Sequence, residues 1–294
     1  MKWAVPQRYL KLTLFKGRND KKEVKVLSDL DMSFNITFET SAAVSGAVNE
    51  GNIKIGGLTR DTMVYLATST TPWTKNIIQN QITIDAGYTD KHAVIFDGNI
   101  IEATPNLESP DYSISLKAKA YYQVLVNENI SLTFEGQKKA SEIAQVIATR
   151  LGFVFFNGLT EDVVVTDYQL KDASPLQHAR NLAKITGLDV FVDKNRLFIK
   201  NKGKPIFDSS KNNILQISDE NMIGAPIPNA MGCDLFVRLD PAIMTGQEVE
   251  LQSKKFSTLN STNYIIQTIS HSGATRGNNW KTKLIMLRKD LYEQ

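Results

Sequence analysis

The side chains able to do covalent or metal chemistry in this 294-residue chain are few. There are three histidines, His92, His178 and His271, and one cysteine, Cys233. A metal centre needs several convergent ligands, and these histidines stand far apart. His92 opens an expected strand, His178 lies in the first turn of an expected helix, and His271 ends an expected strand. Each reads as a structural or surface histidine. Cys233 borders an apolar strand and reads as a small buried hydrophobe, because a nucleophilic thiol needs an activating base. A single cysteine makes neither an internal disulfide nor a four-cysteine zinc site. Glycoside hydrolysis uses two carboxyls flanking the scissile bond; the adjacent pair Glu161-Asp162 sits in a loop with Gly158 and Thr160 and reads as solvated. No His-Glu-x-x-His helix, Gly-x-Ser-x-Gly elbow or Gly-Lys-Ser/Thr phosphate loop is present. The stretch Gly273-Ala274-Thr275-Arg276-Gly277 lacks that lysine and joins two expected strands, so it reads as a hairpin loop. No residue is assigned a catalytic, cofactor-binding or metal-binding role, and the chemistry favours a structural protein.

The bulk properties point the same way. Lys and Arg number 34 against 31 Asp and Glu, a net charge of +3, without the concentrated basic face that a duplex-binding domain carries. Hydrophobic residues at 42% and charged residues at 22% are those of a globular chain long enough for two or three domains. Apolar runs such as Phe153-Val154-Phe155-Phe156 are strand-length, so membrane insertion is not expected. The first residues, Met1-Lys2-Trp3-Ala4-Val5, lack the apolar region of a signal peptide, and an intracellular product is expected.

The elements that position these residues fall into three segments. In the first, residues 1–126, Phe34, Ile36 and Phe38 alternate with Asn35, Thr37 and Glu39, the period of two of a half-buried strand. Similar strands are expected over 9–16, 22–27, 52–55, 81–86, 93–101 and 112–121. One helix interrupts them, with Thr59 as its N-cap and Met63, Leu66 and Ala67 on its apolar side. In the second segment, residues 127–205, Ala140, Ile143, Ala144, Ile147 and Leu151 recur at helical spacing, with Gly152 to stop the helix. A second helix is marked by Ser174 as cap, Pro175 in the first turn, Gln177 completing a capping box and Gly187 at the end. Interleaved short strands give the order strand-helix-strand-strand-helix-strand-strand. The third segment, residues 206–294, returns to strands over 233–239, 247–252, 264–270 and 281–287.

The first and last segments share an order of strands. The runs at 81–87, 94–100 and 112–118 are matched by 247–252, 264–269 and 280–286. Ile95 to Ile114 and Ile265 to Leu284 are both separated by 19 residues. A β-domain occurring twice, with an α+β domain between, is the expected architecture.

Specific motifs strengthen this. Gly56-Gly57-Leu58-Thr59 before a helix, then Ile82-Thr83-Ile84-Asp85-Ala86-Gly87-Tyr88 and Val94-Ile95-Phe96-Asp97-Gly98, resemble the first tube domain of baseplate hub proteins of contractile-tailed bacteriophages. Thr133-Phe134-Glu135-Gly136 and Ser174-Pro175-Leu176 with Thr186-Gly187-Leu188 resemble that family's insert domain. Met222-Ile223-Gly224-Ala225-Pro226, Asp240-Pro241-Ala242-Ile243-Met244-Thr245-Gly246 and Ile269-Ser270-His271-Ser272-Gly273 resemble its second tube domain. The resemblance implies a mostly β fold in which two tube-type β-barrel domains, 1–126 and 206–294, flank a small α+β insert domain, 127–205.

It also implies a non-enzymatic virion protein made in the host cytoplasm. This would be a homotrimeric hub whose pseudo-sixfold ring adapts the sixfold tail tube to the threefold central spike and lines the DNA channel. Implied partners are further copies of the chain, the tail tube or tube-initiator protein and the central spike, with the tape-measure protein and baseplate wedge as additional contacts. DNA would pass without specific binding, and no cofactor is implied. Interface residues are expected at Lys117 and Lys119, on the polar side of strand 112–121, and at Ser41, Ser45 and Asn49 in the loop after strand 31–40. The hub of a contractile injection system, a non-contractile tail tip and a glycan-binding or peptidoglycan-acting tail protein are the alternatives. No lysozyme-like or large C-terminal domain is read, so cell-wall cleavage is not expected.

Overall fold

The computed structural model describes residues 7–15, 23–28, 34–44, 48–70, 80–108, 112–122, 124–125, 129–207 and 213–292. The first segment holds β1 (Arg8–Phe15), β2 (Glu23–Ser28), β3 (Asn35–Ala43), β4 (Glu50–Gly56), α1 (Arg60–Ser69), β5 (Gln81–Tyr88), β6 (Lys91–Asn106) and β7 (Ser113–Ala120). The middle holds β8 (Ile130–Lys139), α2 (Ala140–Leu151), β9 (Val154–Gly158), β10 (Val164–Ala173), α3 (Pro175–Thr186), β11 (Asp189–Asp193) and β12 (Arg196–Lys200). The last holds β13 (Leu215–Ser218), β14 (Ile227–Asn229), β15 (Gly232–Arg238), β16 (Glu248–Gln252), β17 (Tyr264–Ala274) and β18 (Trp280–Arg288). The middle order is the one read from the sequence. The short strands β13 and β14 were not legible, since three or four residues are too few to show a period.

Alternation decides which face each strand buries. Ile36, Phe38, Ile53, Ile55, Ile82, Ile84, Ile114 and Leu116 are all under 4% exposed, and the residues between them are polar. β6 runs five residues beyond the expected 101. It does so through Pro105, which is tolerated because β5 stops opposite Asn99 and leaves that side of β6 without a ladder.

Thirteen strands form one sheet whose main path is β14-β15-β18-β17-β3-β4-β7-β6-β5-β1-β2, with β13 and β16 off it. The first and last segments therefore share a single sheet, and among the described residues that sheet does not close into a barrel. Within it the same order appears twice: β3-β4-β7-β6-β5-β1 and β14-β15-β18-β17-β16-β13. All equivalent pairs are antiparallel except the last, where β13 runs parallel to β16 and β1 antiparallel to β5.

The two halves also share a defect. A bulge falls between Ile100 and Glu102 in one and between Ile266 and Thr268 in the other. Beside each, one amide bonds the residue before the neighbouring strand: Ile100 N to Asn80 O at 2.9 Å, and Ile266 N to Gln247 O at 3.0 Å. The matching pairs are thus Ile100 with Ile266 and Leu116 with Leu284. The strand order repeats as expected, but the equal 19-residue spacing of Ile95–Ile114 and Ile265–Leu284 was a coincidence, since those residues do not correspond. Spacing in sequence ignores the bulge and the unequal hairpin loops.

The halves meet where β17 pairs with β3, from Thr268 opposite Ala43 to Ala274 opposite Thr37. Trp280 of the last segment sits in the core of the first, its indole N–H donating to Gly87 O at 3.1 Å and its ring edge-on to Phe38 at 5.6 Å. Arg8 lies over the same ring at 5.5 Å and donates to Gly277 O at 2.8 Å. Gly273 permits this closeness, since a Cβ there would come within 2.5 Å of the Phe38 ring. The middle segment packs α2 and α3 around its own core, Ile143, Ile147, Leu182, Leu197 and Ile199 among them. α3 carries the full capping box of Ser174 and Gln177, and Gly152 and Gly187 end their helices in the left-handed conformation.

Candidate functional site

The sheet's polar face is a surface ordered by strand register. Register places Ser270, Ser41, Glu50, Lys119 and Asn99 in one row across five strands, and Ser272, Glu39, Asn52, Lys117 and Glu102 in the next. The rows continue through β18 to Lys283 and Lys281, so the polar face crosses from one half to the other without a break. Lys117 and Lys119, expected as interface residues, are both here. Lys117 pairs with Glu102 at 2.8 Å and Lys119 with Glu50 at 3.5 Å, and Lys119 also lies 5.7 Å from the Tyr122 ring centre. Lys283 pairs with Asp234 at 3.2 Å. Exposed pairs of this kind contribute at most about 1 kcal/mol each, so their effect is to interleave charge rather than to stabilise.

Ser41 and Asn49 lie at the border with the middle segment; Ser45 is outside the described residues. They line a cavity of about 310 Å³ with Thr40, Tyr121, Asp193, Lys194, Asn195 and His271. The β11–β12 hairpin closes it: Lys194 and Asn195 take φ of 46° and 55°, the positive values of a two-residue turn. Lys194 Nζ donates to Pro241 O at 2.6 Å, and Thr245 Oγ1 donates to Asp193 Oδ2 at 3.3 Å. Asn49 Nδ2 reaches Val192 O at 3.5 Å, and its buried Oδ1 has no partner among the described residues. Burial raises the Asp193 carboxyl pKa and lowers that of Lys194, each opposed by the other's charge.

His271 is interior to β17 rather than at its end, because the strand runs on to pair with β3. It is 4% exposed, its Nδ1 lies 2.9 Å from Thr282 Oγ1, and burial, helped by Lys194, holds its pKa down to about 3. It is neutral at ordinary pH. His178 is fully buried between Tyr168 OH at 3.1 Å and Ile130 O at 3.1 Å. A carbonyl only accepts, so Nε2 carries the proton and Nδ1 accepts from the tyrosine. His92 stacks on Tyr9 at 3.8 Å and meets Asp85 at 2.9 Å. Cys233 is buried, its thiol pushed up to about 12 by burial. The three histidines and the thiol occupy separate environments, and among the described residues no three metal-ligating side chains converge.

Asp162, of the carboxylate pair, has a definite role that the sequence did not reveal. Its Oδ2 accepts from Ser141 Oγ at 2.5 Å and its Oδ1 from Ser141 N at 3.3 Å, which supplies the start of α2 with the partner that Lys139 lacks. Its only sequence signal was position, since a cap supplied from 21 residues downstream follows no local motif.

Known structures share this doubled strand array. A 43 kDa tail protein of prophage MuSo2 from Shewanella oneidensis matches with a TM-score of 0.62 at 12% identity, over 96% of this chain and 98% of that one. A tail protein from Neisseria meningitidis MC58 matches at 0.63 and 10%, over 97% of both. A type VI secretion system component of E. coli, described as structurally similar to the T4 bacteriophage tail proteins gp27 and gp5, matches at 0.57 and 12%, over 86% of this chain and 73% of that one. No curated protein sequence matches the chain. The fold is that of tail proteins of phages and related secretion systems. Within that class, the chain belongs to the baseplate hub gp41 family, whose model matches residues 15–285. It is a structural component of a baseplate or tail of this kind.

Proposed function

We propose that the protein is a homotrimeric baseplate hub that forms a pseudo-sixfold ring between a sixfold tail tube and a threefold spike. The observation that carries this is the strand order repeated within one chain, shared bulge included. Three chains with two similar halves each present six similar positions, which is what a threefold body needs in order to seat on a sixfold one. In this reading residues 1–126 and 206–294 are the two tube-type domains, each an open wall that neighbours complete into the ring, and 127–205 is the insert domain. The relatives support the choice of partner. One is described by its likeness to gp27 and gp5, and another is a chain of a Francisella PdpA–VgrG complex, matched at a TM-score of 0.53 and 6% identity over 97% of this chain and 58% of that one.

The polar face, with Lys117, Lys119 and Ser41, lines the channel. Its cations are interleaved with Glu39, Glu50 and Glu102. Phosphate binding is driven by release of counterions from uncompensated cations; a lining in which Lys117, Lys119 and Lys283 are already paired lets DNA slide through. The test is native mass spectrometry with negative-stain imaging of the purified chain. A species of about 98 kDa, three chains of 32.8 kDa, forming a ring with a central hole is expected. A compact trimer without a hole sinks the channel, and a monomer at every concentration sinks the self-assembling ring.

A further inference from the structure

Among the described residues, the repeated half has a strand edge that no other strand fills. In the last segment, β17 outruns its neighbour β16 and gives its freed edge, from Thr268 onward, to β3, the first strand of the other half's hairpin. The amide of Val44 donating to Gln267 O and that of Thr275 donating to Ile36 O fix which backbone groups face the seam: those of odd-numbered residues on β17 and even-numbered residues on β3. In the first segment, β6 likewise outruns β5, and by the bulge correspondence Ile101, Ala103 and Pro105 face outward where Gln267, Ile269 and His271 face β3. Among the described residues no strand pairs with this edge, and the helix that packs against β6 is α1. The hairpin strand equivalent to β3 is β14, which ends the sheet, pairs only with β15 and is exposed along its whole length. The two leftover edges stand at opposite ends of an eight-strand run, unpaired with one another.

We infer that β14 of one chain docks on the β6 edge of a second copy of this chain, repeating between molecules the β3–β17 seam found within one. This rests on the ring reading and names its contact surface. Carrying over the register sets Ile227 opposite Asn106 and Pro228 opposite Pro105. The occupant is a second copy because the chain itself shows a half of this type filling the same socket. Exposed apolar side chains mark both edges: Ile227 is 57% exposed, Met231 49% and Leu107 40%. The seam between chains also differs in chemistry. Its central pair is proline on proline, without a single N–H, where the internal seam has Thr40 opposite His271. Proline on both edges blocks indiscriminate strand addition, and the backbone bonds of this seam fall to the flanking residues Ala103, Leu107 and Ala230, which keep their N–H groups.

Disulfide trapping tests the register. Positions 227 and 106 correspond to Glu39 and Ser272, neighbours in a pair whose backbone groups point away from each other, the spacing at which Cα atoms approach to about 4.5 Å and a disulfide forms. Glu39→Cys with Ser272→Cys calibrates the geometry within one chain, and the native Cys233 is buried. Under oxidation, Ile227→Cys with Asn106→Cys should give a covalent trimer on a non-reducing gel, and neither single variant should. Trimers by native mass without the crosslink overturn the seam and leave the ring. A ladder of longer species keeps the seam and overturns ring closure. A persistent monomer overturns both. Independently, Ile227→Asp should fold with an unchanged melting temperature yet trimerise only at about tenfold higher concentration or more; undiminished trimerisation also overturns the seam.

Discussion

Lys200 shows how much a single buried charge matters in this chain. Its side chain is fully buried and its Nζ meets Asp189 Oδ2 at 2.5 Å. Burial lowers its pKa while Asp189 opposes the shift. Removing one member of such a pair strands the other, so Asp189→Asn is expected to cost about 3–5 kcal/mol in urea unfolding. His271 gives a second residue-level expectation. Its folded pKa, near 3, lies below the unfolded value of 6.5, so the unfolded chain takes up the proton first. Its contribution is complete above pH 6.5 and is lost as pH falls from there towards 3. Below 6.5 the slope should approach about 1.4 kcal/mol per pH unit for this one proton. His271→Gln should lose that part of the acid sensitivity while other groups cancel in the comparison; equal slopes in the two proteins would refute the buried, neutral histidine. Neither fact was legible in the sequence: His271 looked like a strand end because its strand is prolonged by a partner more than 200 residues away.

At the scale of elements, what was legible was local. α3 announced itself through Ser174, Pro175, Gln177 and Gly187 because a capping box and a left-handed stop are satisfied within one turn. The alternation of Ile36, Phe38, Ile53 and Ile55 was equally clear, since a strand's two faces meet different solvents. α2 was legible in its apolar stripe but not in its start, which Asp162 supplies from beyond β9. Asp162→Ala should cost about 1 kcal/mol in thermal unfolding, with early loss of exchange protection at Ser141, whereas Glu161→Ala should cost little. Lys117 and Lys119 were placed on the polar side of their strand by the same alternation. The rows they join could not be read, because strand neighbours are set by the sheet and leave no trace in spacing.

For the whole molecule, the decisive feature is that two distant segments share one sheet and one tryptophan. Trp280→Ala removes the indole from the core of the first segment and the hydrogen bond to Gly87 together, an expected loss of about 3–5 kcal/mol. Hydrogen exchange would then show β3 and β17 deprotected in step, since each is the other's ladder. Protection lost from β17 alone would mean that the halves fold independently. The middle segment has its own helices and core, so its amides should respond less.

The twin bulges carry a different message. Ile100 and Ile266 are the same residue at the same irregularity, each with its amide turned to the same neighbour, while most matched positions around them have drifted apart. Regular strands resemble one another everywhere; a matched irregularity is specific to these two halves. The chain thus reads as one strand motif written twice, irregularity included. The first copy's β3 grips the second copy's β17, while Pro105 in the first and Pro228 in the second stand on the corresponding edges that pair with no further strand among the described residues.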